Sequence, residues 1–312
     1  MSPSTVSDGA IFAQDKKFWN NYLKGRPDPP SALFDRIFTY HVAHHGTFGT
    51  AHDAGAGNGP YAAKLRSRFD HVIVSDIVPD NVALARDRLG GAAEGFSFRA
   101  ARVEEADDIP IGSVDLVFAT NVMHFPPDQR AAMAAVARQL APGGTFAAAV
   151  FGPARFEDGE LQNLWERISQ QGGRVLLKKA ERPDETAGVM SRTQDRYNVA
   201  PLDPELFKPG ALRVHLNMKK GGIVRLLPPE EAHRNQEPNY SGPDDVDVFE
   251  EEDGWGFEAN LEGVQEHIRS FPFVSADTAA FEDLFLELEN LLGDGRTVKG
   301  YWPAKIILAT RR

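Results

Sequence analysis

Apolar positions recur in this chain with two different spacings that alternate along its first half. Short runs of adjacent apolar residues lead into Asp53 and fill 71–75, 96–100, 114–120 and 145–151, the pattern of strands covered on both faces. Between them, 60–69, 79–89 and 127–140 carry helical spacing. Strands that alternate with helices predict parallel pairing and an α/β, doubly wound sheet with helices on both sides.

Residues 11–45 read as two short helices ahead of that core. Phe12, Phe18, Trp19, Tyr22 and Leu23 precede a break at 25–30, and Leu33, Phe34, Ile37 and Phe38 follow it. The reading divides the chain into an N-terminal helical cap over 1–45, a ligand-binding core over 46–152, and a remainder over 153–312. In that remainder the pattern loosens. A helix is expected over 158–171, then a polar, charged stretch to Pro204, a strand at 212–216, helices at 261–271 and 277–292, and a final strand at 305–310. Residues 228–256 read as a long surface loop, and its acidic run 244–253 reads as a solvated insertion because it lacks the spaced ligands of a metal loop.

Composition narrows the function classes. Of 312 residues, 42% are apolar and 25% charged, which is the globular range, and no stretch approaches the roughly 20 uncharged apolar residues of a membrane helix. The polar segment 1–9 lacks the basic flank and apolar run of a secretory signal, so a cytoplasmic setting is expected. There is no cysteine, which excludes disulfides and thiolate metal sites, and no metal is expected. A net charge of −11 opposes attraction to nucleic acid phosphates. The expected partner is a small molecule, and the chain a monomer or homodimer.

The strongest chemical signal is Asp53-Ala54-Gly55-Ala56-Gly57-Asn58-Gly59, where a strand gives way to a helix. Glycines there allow a tight turn and a close backbone approach to a ligand, beside the free N–H groups of a helix start. The next strand ends in Asp76, followed by Ile77. An acid at that strand tip can accept hydrogen bonds from the two ribose hydroxyls of an adenosine ligand, although it could equally cap the helix that starts near Pro79. Residues 57–62 also fit the dinucleotide fingerprint, which keeps an NAD-dependent oxidoreductase as an alternative. Asp53 weighs against it: a carboxylate two residues before the first glycine attracts an amino cation and repels a pyrophosphate.

Taken in order, 53–59, Asp76, the strand 115–118 with Asn121 and His124 beyond it, and Leu140-Ala141-Pro142-Gly143-Gly144 resemble the motifs of class I S-adenosylmethionine-dependent methyltransferases. The resemblance covers residues 45–152. It implies a Rossmann-like, mostly parallel seven-stranded sheet with the last strand antiparallel, and S-adenosyl-L-methionine across the carboxyl ends of its first strands. Carried over by residue, it gives Asp53 and Gly55 to the methionine end of the cofactor, Gly57 and Gly59 to the loop that approaches it, Asp76 and Ile77 to the ribose side, and Val103 and Glu104 to the adenine. Where the family often has an acid facing the adenine amino group, this chain has Arg102, with Glu104 or Glu105 as neighbouring substitutes. More narrowly, the chain resembles trans-aconitate methyltransferase-like enzymes, including fungal ones, through Arg26-Pro27, His124-Phe125 and Leu202-Asp203-Pro204-Glu205-Leu206-Phe207. That likeness fades over 151–200 and 219–258.

Methyl transfer from a sulfonium mainly requires orientation, and a base only where the acceptor must lose a proton. His124 is a candidate base or orienting group, or a loop histidine bound to backbone. Asn121 is a candidate active-site donor, on the cofactor or on the acceptor side, or a loop cap. Trp19, Tyr22, Arg26 and Trp165 are candidates for the acceptor pocket, Arg26 by pairing with a carboxylate. Arg192, Arg196 and Arg269 read as surface charges. The resemblance therefore implies small-molecule methylation in secondary metabolism, with O-methylation of a carboxylate or a natural-product hydroxyl as the expected reaction. A fold that binds the cofactor without methylating remains a second alternative.

Overall fold

The computed structural model describes residues 16–90, 94–219, 221–293 and 295–312, with the side chains of 16–18, 20 and 21 left aside. Phe12 and the start of the expected first helix, and the side chain of Phe18, lie outside the described residues. The strands are β1 (Thr50–Ala54), β2 (His71–Asp76), β3 (Phe96–Ala100), β4 (Val114–Thr120), β5 (Leu140–Phe151), β6 (Arg155–Phe156), β7 (Leu212–Leu216), β8 (Val246–Glu250), β9 (Gly256–Ala259), β10 (Val298–Tyr301) and β11 (Ala304–Thr310). Eight of them form one sheet in the order β3-β2-β1-β4-β5-β11-β7-β8, and β6, β10 and β9 form a small second sheet. All pairings in the large sheet are parallel except those of β11, which runs antiparallel to both β5 and β7.

The pattern of burial explains why the apolar runs were legible. Every residue of β11 is buried, and its side chains alternate between the two covering layers, with Ile306 and Leu308 in one apolar cluster and Ile307 and Ala309 in the other. Crossover helices on both faces remove the need for a polar side. Helix α1 (Lys16–Gly25) and α2 (Ser31–Ala43) precede the sheet, and Leu33, Phe34 and Ile37 of α2 enter the core.

Three expectations needed correction. The large sheet has eight strands rather than seven, because β8 joins β7 in parallel at the edge. The residues of β8 lie in the acidic stretch expected to be a solvated loop, and carboxylates in and just before the strand are partnered: Asp245 with Arg213 at 2.5 Å, Asp247 with His215 at 2.6 Å, and Glu250 with Arg36 at 2.7 Å. Pairing with cations of the neighbouring elements lets an acidic segment serve as an edge strand. The stretch after residue 171 is likewise ordered: α6 (Gly159–Lys179) is longer than expected, and α7 (Pro183–Thr193) follows it, with Ala187 and Met190 buried. Helices α8 (Leu261–Arg269) and α9 (Pro272–Ala276) then cover α6 and carry the aromatic wall described below.

Candidate active site

Two adjoining cavities, about 1120 and 1080 Å³ including their mouths, open at the carboxyl ends of β1, β2, β4 and β5. They share Tyr22, Asn121 and Phe125.

The first cavity is built on the glycine loop. Asp53, near the end of β1, is 1% exposed, and its Oδ2 has no hydrogen-bond partner. Burial, with the nearby Asp76 charge adding to it, pushes its pKa up to about 7. A buried carboxyl with a vacant oxygen, lining a cavity, fits the cationic amino end of S-adenosylmethionine. Asp76 closes β2. Its Oδ1 accepts from Val78 N–H at 2.9 Å and from Asn81 Nδ2 at 3.1 Å, and its Oδ2 accepts from Gly57 N–H at 2.9 Å. Both roles weighed for it therefore coexist, since it ties the loop to the start of α4 (Pro79–Arg88) while lining the cavity. Burial raises its pKa, and the three donors oppose that rise.

Gly57 has φ 55°, and a Cβ there would stand 2.5 Å from Trp19 Cη2. Trp19 is the second wall of this cavity, and its Nε1 donates to Asn81 Oδ1 at 2.8 Å. It stands with the glycine loop in the lining of the first cavity, not with Arg26 and Trp165 in that of the second. Gly59, at φ 70°, is packed against α4, where a Cβ on it would meet Ala85 Cβ at 3.1 Å, and it does not stand in the cavity lining with Gly55 and Gly57. Ile77, Val103 and Glu104 line the far end together with Arg102, while Glu105 turns away to accept from Arg102 N–H at 3.2 Å.

Asp53 supplies a test. Its pKa is raised above the unfolded value, so ionising it destabilises the empty protein progressively as pH rises from about 4 through 7, and an amino cation bound beside it offsets that cost. Affinity for S-adenosylhomocysteine is expected to fall by up to roughly tenfold per pH unit below pH 7, with proton release on binding, and Asp53→Asn should flatten the dependence. Calorimetry in buffers of different ionisation enthalpy checks both. Gly57→Ala, which places a Cβ at positive φ and against Trp19, is expected to weaken the same ligand about tenfold.

The second cavity lies beyond Asn121. That residue has φ 55°, its N–H donates to Ala149 O at 2.8 Å, and its Oδ1 accepts from Phe151 N–H at 3.0 Å. The amide oxygen thus joins the ends of β4 and β5 beside the two cavities that the residue lines. The walls are mostly apolar, with Trp165, Phe271, Phe273, Met190 and Leu226 among them. Trp165 is 1% exposed, and its Nε1 donates to Ala154 O at 3.0 Å.

Among the polar groups that interrupt these walls are Arg26 and His124. The Arg26 guanidinium lies 3.6 Å from the Phe271 ring centroid and 5.0 Å from that of Tyr22, and its Nε is buried without a partner. Among the described residues no carboxylate stands within ion-pair distance of it. Burial lowers its pKa, but guanidinium remains cationic at any physiological pH. His124 is 8% exposed, with Nδ1 3.4 Å from the Tyr197 hydroxyl. Burial, reinforced by the Arg192 charge, holds its pKa down to about 3, so the imidazole is neutral. Arg192, expected on the surface, is buried: it donates to His124 O at 2.9 Å and pairs with Glu237 at 2.5 Å. Sequence reasoning missed Tyr197, Glu237, Phe271 and Phe273 as parts of this site. Only Phe271 and Phe273, in a dense aromatic stretch, carried any signal.

A glycine loop after β1, an acid at the tip of β2 and a second cavity beyond β4 define a class of protein, the nucleotide-type cofactor enzymes of the Rossmann-like methyltransferase fold. The comparisons with known proteins agree. The methyltransferase domain profile matches residues 52–148. Methyltransferase tpcM of Aspergillus fumigatus is 60% identical over 98% of this chain and 95% of its own length. Methyltransferase AacuQ of Aspergillus aculeatus is 60% identical over the whole of both chains. A solved structure from Anaeromyxobacter dehalogenans, 18% identical, superposes with a TM-score of 0.53 over 91% of this chain and 97% of the other, a likeness of fold alone. The chain belongs to the S-adenosylmethionine-dependent methyltransferases. Among the described residues no helix is long and apolar enough to cross a membrane.

Proposed function

We propose that this enzyme transfers a methyl group to the carboxylate oxygen of a small molecule with an otherwise apolar body. The observation that carries the reading is Arg26, a cation without a carboxylate partner among the described residues, set in the wall of a mostly apolar cavity. A planar guanidinium matches a carboxylate in two parallel hydrogen bonds.

S-adenosylmethionine, when bound, supplies a methyl group already activated by sulfonium charge. In this reading Asp53 attracts its amino cation, Asp76 accepts from its ribose, and Ile77, Val103 and Glu104 surround its adenine. Gly55 and Gly57 let the backbone approach it. On the acceptor side Arg26 binds the anion, Trp165 forms part of the apolar wall, and Tyr22 and Asn121 stand at the junction through which the two reactants meet.

The state of His124 favours a carboxylate over a phenol. A base whose conjugate acid has a pKa of about 3 holds a proton too weakly to help deprotonate a hydroxyl at neutral pH. A carboxylic acid is ionised already and needs no base. His124→Gln is therefore expected to cost less than about tenfold in kcat and to leave the rate flat with pH across the neutral range. Release of S-adenosylhomocysteine with aromatic acids, compared with phenols of similar size, tests the whole reading. Methyl esters as products support it. A preference for phenols, with a steep loss of kcat in His124→Gln, overturns it.

A further inference from the structure

Arg26 follows directly on the last residue of α1, and a single side chain ties that point to the rest of the fold. His267 of α8 is 4% exposed. Its Nδ1 lies 2.8 Å from Gly25 O, and its Nε2 lies 3.2 Å from Ala154 N. The Ala154 amide can only donate, so Nε2 accepts and the proton sits on Nδ1, which donates to Gly25 O. One tautomer therefore bridges the end of the cap to the segment beyond β5. The Ala154 carbonyl in turn accepts from Trp165 Nε1, so both backbone polar groups of that residue are held.

Three further contacts converge there. A Cβ on Gly25 would stand 2.5 Å from Glu266 O, so α1 and α8 meet backbone to backbone. A Cβ on Gly152 would stand 2.6 Å from Arg26 Nη1, so the guanidinium runs along bare backbone. The His267 ring packs edge-on to Trp165, Phe271 and Trp302 at 4.9 to 5.3 Å between centroids.

We infer that His267 is a positioning residue: by bridging the Gly25 carbonyl and the Ala154 amide, it presents the Arg26 guanidinium to the anionic group of the acceptor. The inference rests on the carboxylate reading of the second cavity. Loss of the imidazole leaves a buried carbonyl and a buried N–H unpaired. The ten-residue α1 is then released at the end that carries Arg26. Burial and the Arg26 charge hold the imidazole pKa at about 3, so it stays uncharged and adds no repulsion to the guanidinium.

The test uses calorimetry on the full chain loaded with S-adenosylhomocysteine, with 2-naphthoate and its neutral counterpart 2-naphthamide as probes. The wild type is expected to prefer naphthoate, and Arg26→Ala to erase that preference. His267→Leu is expected to weaken naphthoate roughly tenfold while leaving naphthamide and S-adenosylhomocysteine within about twofold. His267→Gln, which keeps a donor and an acceptor, should recover part of the preference, and should still show the selective loss if the leucine variant fails to fold. Retention of the naphthoate preference in both variants, or equal weakening of all three ligands, overturns the positioning role. Absence of the preference in the wild type, or its persistence in Arg26→Ala, instead removes the carboxylate reading and the inference with it.

Discussion

Asp76→Ala is expected to weaken S-adenosylhomocysteine binding by about a hundredfold, measured by calorimetry, for two separable reasons. From the sequence, the carboxylate offers bonds to both ribose hydroxyls. In the structure three of its roughly four acceptor sites are filled, by Val78 N–H, Asn81 Nδ2 and Gly57 N–H, so one site on Oδ2 remains for the ligand. A hydrogen bond to a charged acceptor contributes about 1.5 to 3 kcal/mol, which alone accounts for ten- to hundredfold. The rest comes from Gly57. Without Asp76 its N–H loses its partner, and the loop that lies against Trp19 loosens. The variant should also melt earlier, because a buried N–H left unpaired costs about 1 to 3 kcal/mol. Asp76→Asn keeps one acceptor oxygen and should lose less affinity than the alanine variant. An affinity unchanged in Asp76→Ala would remove this residue, and the loop it holds, from the cofactor site.

The parts of the fold legible in the sequence are those whose signal is local. The strand runs into Asp53, at 71–75 and at 114–120, and the buried final strand, are apolar because both sheet faces are covered, and no distant contact is needed to see that. The glycine loop was legible for the same reason, since positive φ at Gly55 and Gly57 is a property of the residues themselves. What escaped depends on partners far away in the chain. Strand β8 is acidic and half-exposed, and it is a strand because Arg36, Arg213 and His215 meet its carboxylates and those beside it. The packing of Gly59 against α4 was not legible because its neighbour, Ala85, is distant in sequence from the loop.

His124 shows the same limit in chemistry. Its position after β4 left it a candidate base, an orienting group or a loop histidine, and the residue lines the second cavity. Its basicity is set elsewhere, by burial and by Arg192, which reaches it from α7, an element the sequence reading did not include. A titratable residue's place can be read from a motif. Its pKa belongs to the packed structure.

Arg26→Ala is expected to lower kcat/KM for an acidic acceptor by a hundredfold or more, with most of the loss in KM and with S-adenosylhomocysteine affinity unchanged. The net charge of −11 makes the local cation matter more, because the field of the whole protein slows an anion that no basic pocket captures. The charge is also poorly screened where it sits. Its Nε is buried and the guanidinium is stacked on Phe271, so an ion pair formed there is held in a low dielectric and should depend only weakly on salt. Arg26→Lys separates charge from geometry. An ammonium keeps the attraction but lacks the planar fork and stacks less well on Phe271, so it should recover only part of the lost kcat/KM. A neutral analogue of the same acceptor, its carboxylate replaced by an amide, should bind Arg26→Ala and the wild type alike. If Arg26→Ala instead weakens acid and amide equally, the guanidinium is shaping the cavity through its contacts with Tyr22 and Phe271, and the anion is recognised by another group.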